Sequence, residues 1–130
     1  MILLTNSDAQ TVEPGAAVTF DTVIFQTGNG ECHRNGSSGV SLRFKGIYEA
    51  FFSANIGGEA AGPVELSLTL DGDALPETVM DSVTAAAGDL NNVATMTAIK
   101  GCCEGRVAVS NTGADPVTVE APKLYVRRIA

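Results

Sequence analysis

Residues 46–75 read GIYEAFFSANIGGEAAGPVELSLTLDGDAL. Tyr48, Ala50, Phe52, Ala54 and Ile56 take every second position of the first half, and Val64, Leu66, Leu68 and Leu70 do so in the second. Successive side chains of a strand point to opposite faces, so a period of two places each set on one side of a sheet. Glu65, Ser67, Thr69 and Asp71 alternate with the second set, the pattern of a half-buried antiparallel strand. Glycine and alanine, with the single Glu59, make up the turn at 57–62, and Pro63 opens the second strand where a missing N–H is tolerated. Asp71-Gly72 is hairpin-turn chemistry.

The same alternation recurs on both sides of this stretch. Residues 16–25 predict a strand with Val18, Phe20, Thr22 and Ile24 on one face, after a Pro14-Gly15 turn. Residues 27–39 carry four glycines and no period, and read as a long loop before a short strand at 40–44. Residues 81–89 are the one candidate for a helix, of one or two turns, with a loop as the alternative. Residues 93–99 alternate as a strand, and after a tight turn at 101–105 residues 106–110 return as its hairpin partner. Another turn at 111–116, a short strand at 117–119 and a last strand at 123–129 close the chain. Short strands separated by turns predict an all-β sandwich or barrel, in one domain spanning 1–130.

Composition agrees with that reading. In 130 residues, 45% are hydrophobic, 18% are charged and tryptophan is absent, as in tightly packed sheets of small residues. The net charge of −7 and the scattered basic residues leave no basic stripe to neutralise phosphates, which excludes nucleic acid as an expected partner. No run approaches the length of a membrane span, so no membrane insertion is expected. The opening MILLTNSD is too short in apolar residues for a signal peptide. The chain, beginning with Met and read as complete, is therefore expected to be made in the cytoplasm, with a place on a virion or particle surface left open.

The pattern resembles the jelly roll of the tumour necrosis factor and complement globular-head superfamily. The residues that carry the resemblance are Gly46-Ile47-Tyr48 opening a central strand, PVELSLTLDGDAL at 63–75, NVATMTAIK at 92–100, RVAVSN at 106–111 and KLYVRRI at 123–129. The resemblance covers about residues 16 to 130. It implies an inner-sheet strand at the C-terminus and three jelly rolls packed about a threefold axis. Small stand-alone versions of this fold are similar to bacterial spore-surface proteins and to phage or prophage virion proteins.

The residues themselves point to self-association. Ile47 and Phe51 fall on the face of their strand that looks away from the core. Tyr125 and Ile129 do the same if Leu124 and Val126 point inward. Outward apolar residues on a sheet mark a contact, and a closed homotrimer is the expected partner for these four. The alternative is that the loop at 27–39 covers them within one chain.

Chemistry is less legible. Cys32, His33, Cys102 and Cys103 form a formal zinc set, without the C-x2-C spacing of structural zinc sites. A disulfide from Cys32 to Cys102 or Cys103, an intersubunit thiol, and plain packed thiols are the other readings. Asp71, Asp73 and Glu77 lack the full calcium-loop pattern, and the hairpin turn accounts for Asp71. Asp89-Leu90-Asn91-Asn92 reads first as turn chemistry. Tyr125, Arg127 and Arg128 are either a carboxylate- or sugar-binding patch or the solvated end of a strand. No nucleophile elbow, metalloprotease motif, phosphate loop or dinucleotide fingerprint occurs. The expected role is a non-enzymatic, homotrimeric structural or surface protein. The alternative is a recognition module that binds a glycan or receptor through the loops at 27–39, 57–62 and 101–105.

Overall fold

The alternation at residues 46–75 becomes two long strands in a computed structural model of the chain, which describes residues 1–130 apart from Asn35 and 102–104. In chain order the strands are β1 (Ile2–Thr5), β2 (Gln10–Val12), β3 (Thr22–Gln26), β4 (Glu31–Cys32), β5 (Gly39–Leu42) and β6 (Gly46–Gly58). They continue as β7 (Gly62–Leu70), β8 (Asp73–Ala74), β9 (Met80–Thr84), β10 (Asn91–Gly101), β11 (Gly105–Asn111) and β12 (Val117–Arg128). A single 3-10 turn, Pro76–Thr78, separates β8 from β9.

Two antiparallel sheets result. The first has the order β10-β6-β12-β1-β3, with β2 also beside β12; the second has the order β4-β5-β11-β7-β8, with β9 also beside β7. From β5 onward the chain alternates between sheets: β5, β7 and β11 lie in the second, β6, β10 and β12 in the first. This crossing pattern makes the sandwich a jelly roll. The faces that meet carry Tyr48, Ala50, Phe52, Ala54 and Ile56 from β6 and Val64, Leu66 and Leu68 from β7, all buried. Tyr48 keeps its polar end satisfied by donating to the Phe44 carbonyl at 2.8 Å.

Several expectations are corrected. Strands β10 and β11 are not a hairpin: β10 pairs with β6 from Asn91↔Ile56 to Gly101↔Gly46, whereas β11 lies between β5 and β7. Ile99 of the one and Val107 and Val109 of the other are buried in opposite sheets, so their apolar sides face each other across the core. The helix candidate at 81–89 is instead part of β9 followed by a turn. Met80 and Thr84 point inward and Asp81 and Val83 outward, a period of two, and the Thr84 hydroxyl accepts the Gly58 N–H at 2.7 Å. Three alanines are too few to offset the cost of starting a helix. Strand β3 begins only at Thr22. Val18 and Phe20 are buried before it, but Ile24 is half exposed, because the register with β1 shifts between Leu3↔Phe25 and Leu4↔Val23. The two C-terminal segments are one strand, β12, broken by a bulge between Glu120 and Lys123 where Ala121 takes a φ of 50°.

Candidate self-association surface

Alternation decides which side chains of the first sheet face away from the core, and register decides which stand next to one another. Across the strands the pairs are Phe25↔Leu3, Leu3↔Tyr125, Tyr125↔Phe51 and Phe51↔Met96. Their chain neighbours Ile2, Leu4, Leu124, Val126, Ala50 and Phe52 are buried in the core, so this row is on the outer side. One apolar residue from each of β3, β1, β12, β6 and β10 thus forms a continuous band across the sheet. Phe25 and Phe51 are each 39% exposed and Met96 is 65% exposed.

Of the four residues expected at an interface, Phe51 and Tyr125 are direct cross-strand neighbours. Ile47 and Ile129 meet further along the same two strands, beyond the Arg127↔Glu49 pair, where the Ile129 N–H donates to the Ile47 carbonyl at 2.8 Å. Ile129 is 47% exposed. Between the two apolar pairs lies the ion pair of Arg127 and Glu49, at 2.9 Å. The Arg127 Nε is buried and has no acceptor among the described residues. A band of this kind can be withdrawn from water against a second apolar surface.

Leu3, Phe25 and Met96 were not legible as members of this band. Each belongs to a different strand, and only the pairing of those strands aligns them. The alternation of Ile2, Leu3 and Leu4 was the available signal, and it needed β12 beside it to acquire a direction.

The other candidate residues are placed as follows among the described residues. Cys32 is half buried with a free thiol. Cys102 and Cys103 lie outside the described residues. His33 places Nδ1 against the Gly39 carbonyl at 2.8 Å and Nε2 against the Phe20 carbonyl at 3.1 Å, so a metal at either nitrogen would displace a backbone contact. Among the described residues no group of three or more His, Cys, Asp or Glu side chains converges. Asp71 and Gly72 have φ values of 53° and 88°, those of a type I′ turn, and the Asp71 carboxylate accepts the Arg106 N–H at 2.9 Å. Asn91 Nδ2 donates to the Ser82 hydroxyl at 3.0 Å, and Asn92 Nδ2 to the Asn55 side chain at 3.0 Å. Arg127 and Arg128 point to opposite sides of β12: Arg128 Nη2 donates to the Lys45 carbonyl at 2.8 Å, and its guanidinium lies 6.0 Å from the Phe44 ring. Tyr125, Arg127 and Arg128 therefore do not form one patch. No helix among the described residues is long and apolar enough to cross a membrane.

Neither protein-family models nor curated proteins gave a match to this chain. Solved structures did. The globular domain of the zebrafish complement 1qA protein is 10% identical, with a TM-score of 0.75, covering 99% of this chain and 96% of that one. Eiger TNF from S. frugiperda is 12% identical, with a TM-score of 0.77, covering 100% of this chain and 92% of that one. The PRD1 vertex protein P5 is 12% identical, with a TM-score of 0.58, covering 99% of this chain and 96% of that one. These likenesses extend over nearly the whole length of each chain. The chain has the jelly-roll fold of the tumour necrosis factor and complement globular-head proteins.

Proposed function

We propose that this chain is a non-enzymatic structural or surface protein that acts as a homotrimer, carried on a virion or spore-like particle. The observation behind the assembly is the apolar band Phe25–Leu3–Tyr125–Phe51–Met96 on the outer side of the first sheet. The band runs out to the edge strand β10, and in the second sheet Val83 of β9, whose carbonyl accepts from Asn91 Nδ2 of β10, is 69% exposed. Apolar surface on a face and around an edge favours a face-to-edge contact. Such a heterologous contact is not that of a twofold dimer, and it closes into a ring where the rotation between copies allows. The resemblance read from the sequence implies three copies in that ring. The likeness to a vertex protein supports a place on a particle, and the absence of a catalytic motif in the sequence supports a role without chemistry.

Light scattering on the purified full chain tests the assembly. The expected mass is three times the 13.4 kDa of one chain, unchanged by reductant or chelator because apolar contacts hold it. A monomer at micromolar concentration would overturn the trimer. Antibody detection across sedimented fractions of producing cells tests the location. The protein should travel with particles, and recovery only among free soluble proteins would overturn that part.

A further inference from the structure

On the outer side of the second sheet, Cys32, Ser41 and Arg106 stand in one row, because β4, β5 and β11 pair as Cys32↔Ser41 and Ser41↔Arg106. Their chain neighbours Glu31, Val40, Leu42 and Val107 are buried, which fixes the direction of the row. A cleft is built on it, lined by Cys32, Arg34, Ser37, Gly39, Ser41 and Arg106. Arg43 reaches its rim, where Nη2 donates to the Cys32 sulfur at 3.4 Å.

Three of the eight basic residues of an acidic chain therefore converge here. Among the described residues none of the three guanidinium groups is in an ion pair. Among the described residues the Arg106 guanidinium makes one hydrogen bond, from Nη2 to the Ser38 hydroxyl at 3.3 Å, and the Asp71 carboxylate is engaged by the Arg106 backbone N–H.

The cleft is also held in shape. His33 ties the loop to the Gly39 and Phe20 carbonyls. The Ser37 N–H donates to the Arg34 carbonyl at 2.9 Å, and the Phe20 N–H to the Ser37 carbonyl at 3.1 Å. A side chain at Gly39 would meet the Val107 carbonyl at 2.5 Å and Arg106 Nε at 2.9 Å, so glycine keeps the floor open beside the guanidinium.

We propose that this cleft binds a small ligand through a sulfate or phosphate monoester. Arg34, Arg43 and Arg106 supply the charge, and the Ser37 and Ser41 hydroxyls supply further donors. Guanidinium forks match tetrahedral oxyanions, and a cleft whose loop backbone is already held in place lowers the cost of binding. A small ligand is favoured over a polymer. The net charge of −7 repels a long polyanion, whereas a single anionic group is governed by the charge within a Debye length. This face is opposite the apolar band, so the site does not compete with self-association.

Calorimetric titration of the full chain at constant ionic strength tests the site, with inorganic sulfate, glucose 6-phosphate, acetate and heparin as probes. Sulfate and the phosphate ester should each bind saturably at one site per chain. Arg106→Gln or Arg34→Gln should weaken both by about tenfold or more, the loss expected for a charged hydrogen bond. Arg128→Gln, on the other sheet, should bind as the native chain does. Circular dichroism of each variant separates lost binding from lost fold, and Ser41→Ala gives a milder variant expected to weaken binding while leaving the fold intact. No saturable binding, equal binding by the arginine variants, acetate bound as tightly as sulfate, or binding of heparin alone would each overturn the proposal. The chain mass is measured independently, so failure here leaves the trimer reading standing.

Discussion

Buried polar side chains in this sandwich are few, and each closes a specific gap. Asn111 is 1% exposed at the end of β11. Its Nδ2 donates to the Val12 carbonyl at 2.9 Å and to the Asp115 carbonyl at 2.8 Å, and its Oδ1 accepts the Gly113 N–H at 3.0 Å. One side chain thereby joins β2 to the 112–116 turn. Asn111→Ala should destabilise the fold by about 1–3 kcal/mol, because buried backbone groups lose their partners, and a shifted denaturant midpoint would show it. Asp21 does comparable work at the surface. The Ser7 hydroxyl, first, and then the Thr22 hydroxyl hold its carboxyl below the ordinary aspartate range. A folded value below the unfolded one gives stability that is present above about pH 4 and fades as pH falls through the lower folded value. Melting of the native chain should therefore lose a small contribution on acidification that Asp21→Asn never has. Identical acid limbs for the two proteins would contradict this.

At the scale of elements, crossings between sheets carry the constraint. Near the end of β6, where the chain is about to cross to the second sheet, Gly57 still pairs with Thr118 of β12, and an added Cβ there would run into the Asp89 carbonyl oxygen. That contact is with backbone, so neither side can give way cheaply. Gly57→Ala should cost about 1–3 kcal/mol by overpacking, read as a lower melting temperature with unchanged strand content by circular dichroism. A melting temperature equal to that of the native chain would show that the 85–90 turn moves freely. The bulge at Ala121 and Pro122 is the other device. It lets β12 pair with β2 at one end and β1 at the other while β6 runs unbroken along its opposite side.

For the whole molecule, the sandwich separates two outer faces of opposite character, one crossed by an apolar band and one holding an arginine cleft. The proposed assembly belongs to this scale. Phe51→Asp puts a charge at the middle of the band without touching the core, and should yield a folded monomer by light scattering. Native melting temperature should rise with protein concentration, as mass action requires of a folded oligomer, and that of the variant should not. A variant that remains trimeric would place the contact elsewhere. The sequence by itself determined the all-β class, the inward sets of β6 and β7, the Asp71-Gly72 turn and the outward direction of Phe51 and Tyr125. Each of these follows from a period of two or from local turn chemistry, which are properties of adjacent residues. Only the tertiary structure decided that β10 and β11 lie in different sheets and that Leu3, Phe25 and Met96 extend the band. It also decided that Cys32, Ser41 and Arg106 share a row. Those facts depend on which strands pair and in what register, and a glycine-flanked link of a few residues serves a hairpin and a sheet crossing equally well.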